Sequence, residues 1–260
     1  MKLHTLICAS AIAAATGASA LTTANTFARM PVTTSLENTL LAIPLAGCGE
    51  ASPEIYVTNL VMTTGLSNGD KLLYKDSTGY YAWYISGGKW MPMAAADASS
   101  AFGEVSITPR ADEATLLCGK GCWLVQTNPT TVYLYGQVNE GAVTTVIAAG
   151  TSTGPTYTIV SRPYETGSVN LNTWHAENAV VGDTLVVAKS GGLGQDTYTW
   201  GKDSSNNDGW TTVTVTKSGS GKTATYTYTT NRVTATISAG TAFMYGRAKN
   251  AAATTINWTR

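Results

Sequence analysis

The 260-residue sequence contains 16 basic and 16 acidic residues, so its formal net charge at pH 7 is zero. Charged residues make up 12 % of the chain, against about 25 % in typical soluble domains. A chain without excess positive charge or a Lys/Arg cluster lacks the electrostatic footprint of nucleic-acid binding, so we predict no nucleic-acid partner. Its many Trp and Tyr residues supply enough apolar area to close a core, which argues against disorder.

The first twenty residues have the pattern of an export signal. Lys2 gives a short basic start, residues 6–15 are apolar, and residues 18–20 (Ala-Ser-Ala) form a small-residue cleavage site. The apolar stretch is shorter than the about 20 residues that cross a bilayer, and no later segment is apolar enough to do so. We expect residues 1–20 to be a cleaved signal peptide. The mature protein is then secreted, to the periplasm or the envelope exterior, and does not span a membrane.

Short strand patterns follow one another through the first half of the chain. An extended apolar run at residues 40–43 is followed by strand-like runs at 70–74, 79–84 and 88–91, which are separated by sequences rich in Ser, Thr and Gly. Because the connections between the later runs are short, we predict mainly antiparallel pairing.

The second half shows the same kind of pattern. Residues 157–160 form another apolar run, and residues 210–216 and 223–230 alternate Thr with apolar or aromatic residues, which predicts half-buried strands. Residues 217–221 between the last two runs have the composition of a hairpin turn. No segment has convincing helical periodicity, so we predict an all-β fold.

The two halves carry matching residues in the same order, which suggests an internal repeat. The pairs are Asn59 with Asn172, Gly69-Asp70 with Gly182-Asp183, Leu72 with Leu185, Tyr81 with Tyr198, Trp83 with Trp200, Trp90 with Trp210, Gly119 with Gly240, and Leu134 with Ile256. The extra residues of the second half fall at 190–195 and 203–208, which are turn-like stretches where insertions cost little. We expect each Gly-Asp pair to be a turn in which the Asp side chain bonds nearby backbone.

A stretch of small residues with Gly and Pro separates the halves, as a linker would. We expect a first β-module at residues 21–148, a linker at 149–155 and a second β-module at 156–260. Each module is predicted to be a small antiparallel β-sandwich or a barrel-like fold, and the two are related by internal duplication.

The order of Pro, apolar strand, Gly-Asp, Tyr-x-Trp, Trp and late Gly resembles uncharacterised exported β-repeat proteins of bacteria. In that group a module often ends in a leucine-bearing strand, a glycine turn and an aromatic pair. Residues 116–123 are similar to this ending, and residues 237–244 are a weaker version, with Phe243 where the first half has Cys122. The resemblance covers most of the mature chain. It implies export and β-structure, and it implies no activity.

Three cysteines remain after removal of the signal, and all lie in the first half: Cys48, Cys118 and Cys122. Export to an oxidising compartment favours disulfides. Because Cys48 lies in a stretch that is inserted relative to the second half, we expect it to pair with Cys118 or Cys122 and to leave one free thiol. An intermolecular disulfide is the alternative.

No residue pattern identifies a catalytic, metal or nucleotide site. His175, the one histidine left after export, lacks the Gly-x-Ser-x-Gly elbow and should be an ordinary strand residue. The spacing of Cys118 and Cys122 is outside the usual zinc knuckle. Residues 203–209 resemble a calcium loop in composition, but Asp208 stands where its sixth residue should be Gly and Thr214 where its twelfth should be Glu. Residues 221–223 lack the upstream Gly of a phosphate loop. We expect no cofactor, no metal and no enzyme activity. A glycosidase-type carboxylate pair is left open, because it needs no motif.

Aromatic side chains offer a candidate binding surface. Trp83 and Trp90 have counterparts in the second half, which suggests a shared core, whereas Tyr80 and Tyr84 have none and are predicted to be surface residues suited to sugar stacking. The favoured function is an exported, non-enzymatic structural or interaction protein of the cell surface or extracellular space. Its partner would be an unknown protein or glycan. The alternative is a carbohydrate-binding or carbohydrate-active secreted protein.

Overall fold

The computed structural model describes residues 27–34, 37–46, 54–75, 80–93, 115–138, 142–164, 168–188, 195–219 and 225–258. Within these ranges the chain forms β-strands joined by turns and loops, with a single helix of four residues, so the all-β prediction is confirmed. Among the described strands every pairing is antiparallel and no sheet closes on itself, so the barrel-like alternative is not found there. The proposed signal peptide, residues 1–20, lies outside the described residues.

The described residues of the first half form nine strands and the helix. These are β1 (Phe27–Thr33), β2 (Glu37–Ala42), β3 (Glu54–Tyr56), α1 (Val57–Leu60), β4 (Lys71–Lys75), β5 (Tyr80–Ser86), β6 (Lys89–Pro92), β7 (Thr115–Leu117), β8 (Gly121–Gln126) and β9 (Thr131–Gln137). Strands β2, β4, β5 and β6 coincide with the four strand-like runs of the sequence. Strand β9 shows why such segments fold as strands, since its buried Val132 and Leu134 alternate with residues that are partly exposed.

The second half contains ten strands among its described residues. These are β10 (Val143–Ile147), β11 (Thr156–Ser161), β12 (Val169–Asn170), β13 (Thr184–Ala188), β14 (Gln195–Lys202), β15 (Asp208–Ser218), β16 (Thr225–Arg232), β17 (Thr236–Ile237), β18 (Ala242–Arg247) and β19 (Thr254–Trp258). Strands β11, β15 and β16 match the sequence expectation, and β15 and β16 pair with each other as the hairpin signal predicted.

The described strands form two main sheets and four two-stranded pairs. The first sheet has the order β2-β8-β4-β5-β6, and the second has the order β11-β18-β13-β14-β15-β16. The pairs β1-β9 and β3-β7 contribute to the core of the first sheet, and β10-β19 and β12-β17 contribute to that of the second. When the strands of each sheet are numbered by their order in the chain, the first sheet has the order 1-5-2-3-4. The second sheet has the same order once β16, an additional strand at its edge, is left out.

Each main sheet buries one face against the shorter pairs. The first core includes the side chains of Leu41, Leu72, Trp83, Ile85, Trp90, Leu116, Val132 and Leu134. The second includes those of Val160, Leu185, Trp210, Phe243, Tyr245, Ile256 and Trp258. Each half thus consists of two layers around its own apolar core.

Of the two tryptophan pairs expected from the sequence, one occupies equivalent positions in the two sheets and the other does not. The indole N–H of Trp90 donates to the Val61 carbonyl at 2.9 Å, and that of Trp210 donates to the Trp174 carbonyl at 2.8 Å. The Gly-Asp turns, however, hydrogen-bond to Ile85 in the first half and to Trp200 in the second. Trp200 therefore occupies the place of Ile85, two residues from the place of Trp83 with which the sequence paired it.

The segment between the halves is hydrogen-bonded into the second half. Strand β10 lies within the expected first module, but its partner is β19. In the segment expected to be a linker, the Gly150 amide donates to the Ala251 carbonyl at 2.9 Å, and Thr151 accepts from the Asn250 amide at 3.0 Å. Residues 149–155 are thus a turn attached to the end of β18. A composition of Gly, Pro, Thr and Ser serves a tight turn as well as a linker.

Candidate interaction surfaces

The outer face of the first sheet, opposite its core, carries a row of apolar side chains. Leu73 on β4 is the register partner of Ala82 on β5 and of Trp123 on β8. The Met93 amide donates to the Ala82 carbonyl at 2.9 Å, which adds Met93 to the other end of the row. Leu73, Ala82 and Met93 are buried, whereas Trp123 is half-buried. The row therefore ends in an indole ring that is partly exposed.

Tyr80 and Tyr84 lie on either side of this row. Both are half-buried and pack with it, and they are separated along β5 by about 13 Å at the usual rise of a strand. Lys75 lies with its ammonium 4.8 Å from the centre of the Tyr80 ring. We call Tyr80, Tyr84 and Trp123, together with the row between them, the outer aromatic face.

The sequence identified the two tyrosines of this face but not the tryptophan. Trp123 lies between Cys122 and Leu124, which are both fully buried. Because neighbouring residues of a strand point to opposite faces, that alternation was the signal that Trp123 faces outward.

The second surface is a two-stranded arm formed by β15 and β16. Strand β14 pairs with β15 only from Asp208 to Thr211, and beyond that point β15 pairs only with β16. We call residues 212–218 and 225–231 the arm. Nearly all of its side chains are exposed. It extends past the sheet without a covering layer among the described residues.

The two faces of the arm differ in chemistry. The hydroxyl face carries the alternate residues Thr212, Thr214, Thr216, Ser218, Thr225, Thr227, Thr229 and Asn231. The apolar face carries Val213 and Val215 from β15, and Tyr226 and Tyr228 from β16, which are 56, 51, 52 and 69 % exposed. Thr230 and Lys217 lie at its two ends, and the Lys217 ammonium is 6.0 Å from the centre of the Tyr226 ring. Exposed apolar groups gathered on one face mark an interaction site more often than isolated ones do.

The two Gly-Asp turns have the structural role that the sequence predicted. The Asp70 carboxylate accepts the Ser67 amide of its own turn at 2.8 Å and the Thr127 amide at 3.0 Å. The Asp183 carboxylate likewise accepts the Val180 amide at 3.1 Å and the Ala248 amide at 2.8 Å. Each aspartate thus joins its own turn to the first residue after a neighbouring strand, which is Thr127 after β8 and Ala248 after β18.

Asp183 has two further partners on β18. The Arg247 guanidinium donates to it at 2.5 Å and the Tyr245 hydroxyl donates at 2.8 Å. Burial, and after it the hydrogen bond to Asp183, raises the pKa of Tyr245. The three side chains are buried and bonded to one another, so this cluster stabilises the second half and offers no open site.

The cysteines lie in different surroundings. Cys122 is fully buried in the first core, where burial raises the pKa of its thiol, and Cys118 packs in the second core. No disulfide joins the cysteines within the described ranges, and Cys48 lies outside them. The pairing of Cys48 with Cys118 or Cys122 therefore stays a prediction.

The remaining sequence candidates are occupied by local contacts or lie outside the described part. His175 lies in the loop between β12 and β13, not in a strand, and its ring contacts that of Trp200. The Asp203 carboxylate accepts the amides of Asn207 and Ser205, and the Asn207 amide is the main cause of its lowered pKa. Residues 221–223 are outside the described ranges.

In the part of the chain that is described, no three His, Cys, Asp or Glu side chains lie together as a metal site would require. Nor does that part hold a helix with the length and apolar composition of a membrane span. No family model, curated protein or solved structure matches the chain.

Proposed function

We propose that the chain is an exported, non-enzymatic interaction protein of the cell surface or extracellular space, built from two copies of one β-module. The arm carries this proposal, because Val213, Val215, Tyr226 and Tyr228 expose more than half of their surface on a single face. Leaving such a face in water is unfavourable, and a partner that covers it gains the free energy of apolar burial.

The proposal of two copies is supported by the shared strand order and by matching details. Gly69 and Gly182 both adopt a left-handed conformation, with φ of 90° and 95°, immediately before the turn aspartates. Gly119 and Gly240 do so at 87° and 74° immediately before the equivalent strands β8 and β18. A positive φ is adopted most readily by glycine, so the same backbone requirement recurs at both pairs of turns.

A scaffold role is supported by the buried contact between the halves. Ser161 on β11 is fully buried, and its hydroxyl lies 2.6 Å from the Lys120 carbonyl and 3.2 Å from the Ile43 amide of the first half. The Thr145 hydroxyl donates to the Gly119 carbonyl at 3.1 Å. Directional bonds of this kind hold the two halves against each other, as suits a scaffold that carries two surfaces.

Site-specific photo-crosslinking in a bacterium that exports the full-length protein tests the proposal. A photoreactive amino acid replaces Tyr228 on the apolar face of the arm, and in a matched variant it replaces Thr214 on the hydroxyl face. We expect a discrete adduct from position 228 and at least tenfold less from position 214. Equal adducts, or none at either position, would contradict an interaction role for the apolar face.

Export has its own test. The N-terminus of the protein recovered from the envelope or the medium should be Leu21, which follows the small-residue cleavage site. Recovery of the intact chain from the cytoplasm alone would remove this part of the proposal.

Carbohydrate binding is the second candidate, and the outer aromatic face is the observation that favours it. Its three half-buried rings surround an apolar floor, and the spacing of about 13 Å between Tyr80 and Tyr84 suits an extended ligand of several sugar units. A glycan array would identify a ligand. We then expect Tyr84→Ala and Trp123→Ala to weaken binding at least tenfold, and Tyr157→Ala, an exposed tyrosine of the second sheet, to leave it unchanged. Binding that survives both substitutions would exclude this face.

A further inference from the structure

Strand β16 is the outermost described strand of the second sheet. Its pairing with β15 shows which of its residues direct their backbone N–H and C=O groups toward β15 and which direct them toward the open edge. The Val233 amide donates to the Trp210 carbonyl at 2.9 Å, at the base of the β15-β16 ladder. Bonded and non-bonded pairs alternate along an antiparallel ladder. Continued through the register, this alternation directs the backbone groups of Thr227 toward β15 and those of Tyr226 and Tyr228 away from it.

A second contact independently shows the same alternation of inward and outward backbone groups along β16. The Ser204 amide, in the loop between β14 and β15, donates to the Thr230 carbonyl at 3.0 Å. That carbonyl therefore points away from β15, as the alternation requires. The loop also covers the edge at Thr230. The open part of the edge is then centred on Tyr226 and Tyr228.

Apart from the loop at Thr230, the open part of this edge lacks the devices by which natural proteins protect edge strands. Residues 225–231 contain no Pro, no Gly and no charged residue, and within the described part β15 is the only strand that pairs with them. Thr and Tyr have high β-propensity, so the strand is a ready template for another strand.

The sequence of the open edge is a palindrome. Residues 225–229 read Thr-Tyr-Thr-Tyr-Thr in either direction, with Thr227 at the centre. The outward backbone groups of Tyr226 and Tyr228 are symmetric about the same residue. An antiparallel copy of this strand therefore meets identical side chains and complementary backbone groups at one register.

We propose that the partner of the arm is a second copy of this chain, paired edge to edge through β16 about a two-fold axis at Thr227. This inference rests on the proposed function of the arm and names its partner. Tyr226 bonds to Tyr228 of the second copy through both backbone groups, and the same pairing repeats across the axis. A register centred on Tyr228 would instead use Thr230, whose carbonyl is already engaged by Ser204.

The side chains of the two copies complement this pairing. Val215 is the register partner of Tyr228 on the apolar face, and Tyr228 in turn lies beside Tyr226 of the second copy. The exposed tyrosines of both arms then cover one another as cross-strand aromatic pairs. The contact is confined to one strand of each copy, so we expect reversible dimerisation that depends on concentration.

Cysteine crosslinking tests the axis directly, in the full-length protein carrying Cys48→Ser. In the Thr227→Cys variant the two introduced thiols face each other across the axis, at a Cα separation of about 4.5 Å that suits a disulfide. The matched variant is Thr229→Cys on the same exposed face, where the two thiols are about 13 Å apart. We expect mild oxidation to crosslink the first variant at least tenfold faster than the second. Equal rates would overturn the proposed register.

Sedimentation provides a second readout. The parent protein should show a monomer–dimer equilibrium, and Tyr228→Pro should raise its Kd at least tenfold, because proline removes an outward amide and leaves the ladder to β15 intact. Thr227→Lys, which places like charges on the axis, should do the same, whereas Thr214→Lys should not. A parent protein that stays monomeric at every concentration would overturn the inference. Adducts from position 228 to a different protein would overturn the self-pairing alone and leave the interaction role of the arm standing.

Discussion

Arg247 and Asp183 form an ion pair inside the second half, with the guanidinium 2.5 Å from the carboxylate and with side-chain exposures of 3 and 0 %. The equivalent position of the first sheet, at the end of β8, holds Gln126, which donates to the Asn128 carbonyl and the Thr34 hydroxyl. Both halves thus bury a polar side chain beside the Gly-Asp turn, but only the second half makes it a charged pair.

The ion pair gives the first prediction. Arg247→Met leaves the buried carboxylate of Asp183 without its counter-charge, and we expect the free energy of unfolding to fall by about 3–5 kcal/mol. Lys202→Met is the matched control, because the Lys202–Asp208 pair is 3.6 Å long and more than half exposed, so its loss should cost less than about 1 kcal/mol. Urea denaturation of the parent protein and the two variants measures both changes in the free energy of unfolding. Similar losses of unfolding free energy in the two variants would show that the buried ion pair stabilises the protein no more than the exposed one.

The buried tryptophans give the second prediction. Trp90→Ala and Trp210→Ala should each lower the free energy of unfolding by about 3–5 kcal/mol, because each loses a buried ring and leaves a carbonyl without its indole donor. The half-buried Trp123 provides the comparison, and Trp123→Ala should cost under about 2 kcal/mol. Thermal unfolding followed by circular dichroism can rank the three. A cost at Trp123 that equals the other two would contradict the assignment of an outer face.

The pairing of Trp83 with Trp200 shows where motif matching stops being informative. Alternation in a strand fixes which face a side chain lies on, so a slip of one residue would have been visible. A slip of two residues keeps the same face and the same Tyr-x-Trp pattern. The position along the strand is shown by the Gly-Asp turns that precede β4 and β13, where the Gly69 amide bonds to Ile85 and the Gly182 amide bonds to Trp200. The sequence therefore predicted the inward tryptophans but could not place them along the strand.

The arm shows a different limit. The alternation of Thr with Val and Tyr predicted two half-buried strands with a hairpin turn, and the hairpin pairing is present. The expected burial is absent, because no described element covers Val213, Val215, Tyr226 or Tyr228. Alternation reports that a strand has two unlike faces, whereas a covering layer depends on the rest of the fold. Tyr80 and Tyr84 were identified because they broke the match between the halves, which is a signal that the sequence itself contains.

The third prediction concerns the contact between the halves. Ser161→Ala removes a buried hydroxyl that bonds to the first half and leaves the Lys120 carbonyl without that donor, so we expect a loss of about 1–3 kcal/mol. Calorimetry should also show a broader or divided unfolding transition, because the halves are held together less firmly. Ser86→Ala, at the exposed end of β5, should change neither quantity. A single transition at the parent temperature in both variants would show that this bond does not couple the halves.

The fourth prediction uses two glycines of the turn between β10 and β11. A Cβ at Gly150 would lie 1.9 Å from the Ala248 carbonyl oxygen, whereas a Cβ at Gly154 would meet no atom within 4 Å. The obstacle at Gly150 is backbone, which cannot move aside as a flexible side chain can. Gly150→Ala must therefore separate residues 149–155 from the end of β18, where the Gly150 amide now bonds to Ala251.

We expect Gly150→Ala to lower the free energy of unfolding by about 3 kcal/mol or more, at the upper end of overpacking effects. Gly154→Ala should be neutral or should stabilise the protein by up to about 1 kcal/mol, because alanine reduces the freedom of the unfolded chain. Chemical denaturation of the two variants against the parent measures both effects. Hydrogen exchange should also show faster exchange at the amides of residue 150 and Asn250, which donate across this contact, in Gly150→Ala alone. If Gly150→Ala were as stable as Gly154→Ala, residues 149–155 would be the flexible linker that their composition first suggested, and the attachment of this turn to β18 would be wrong.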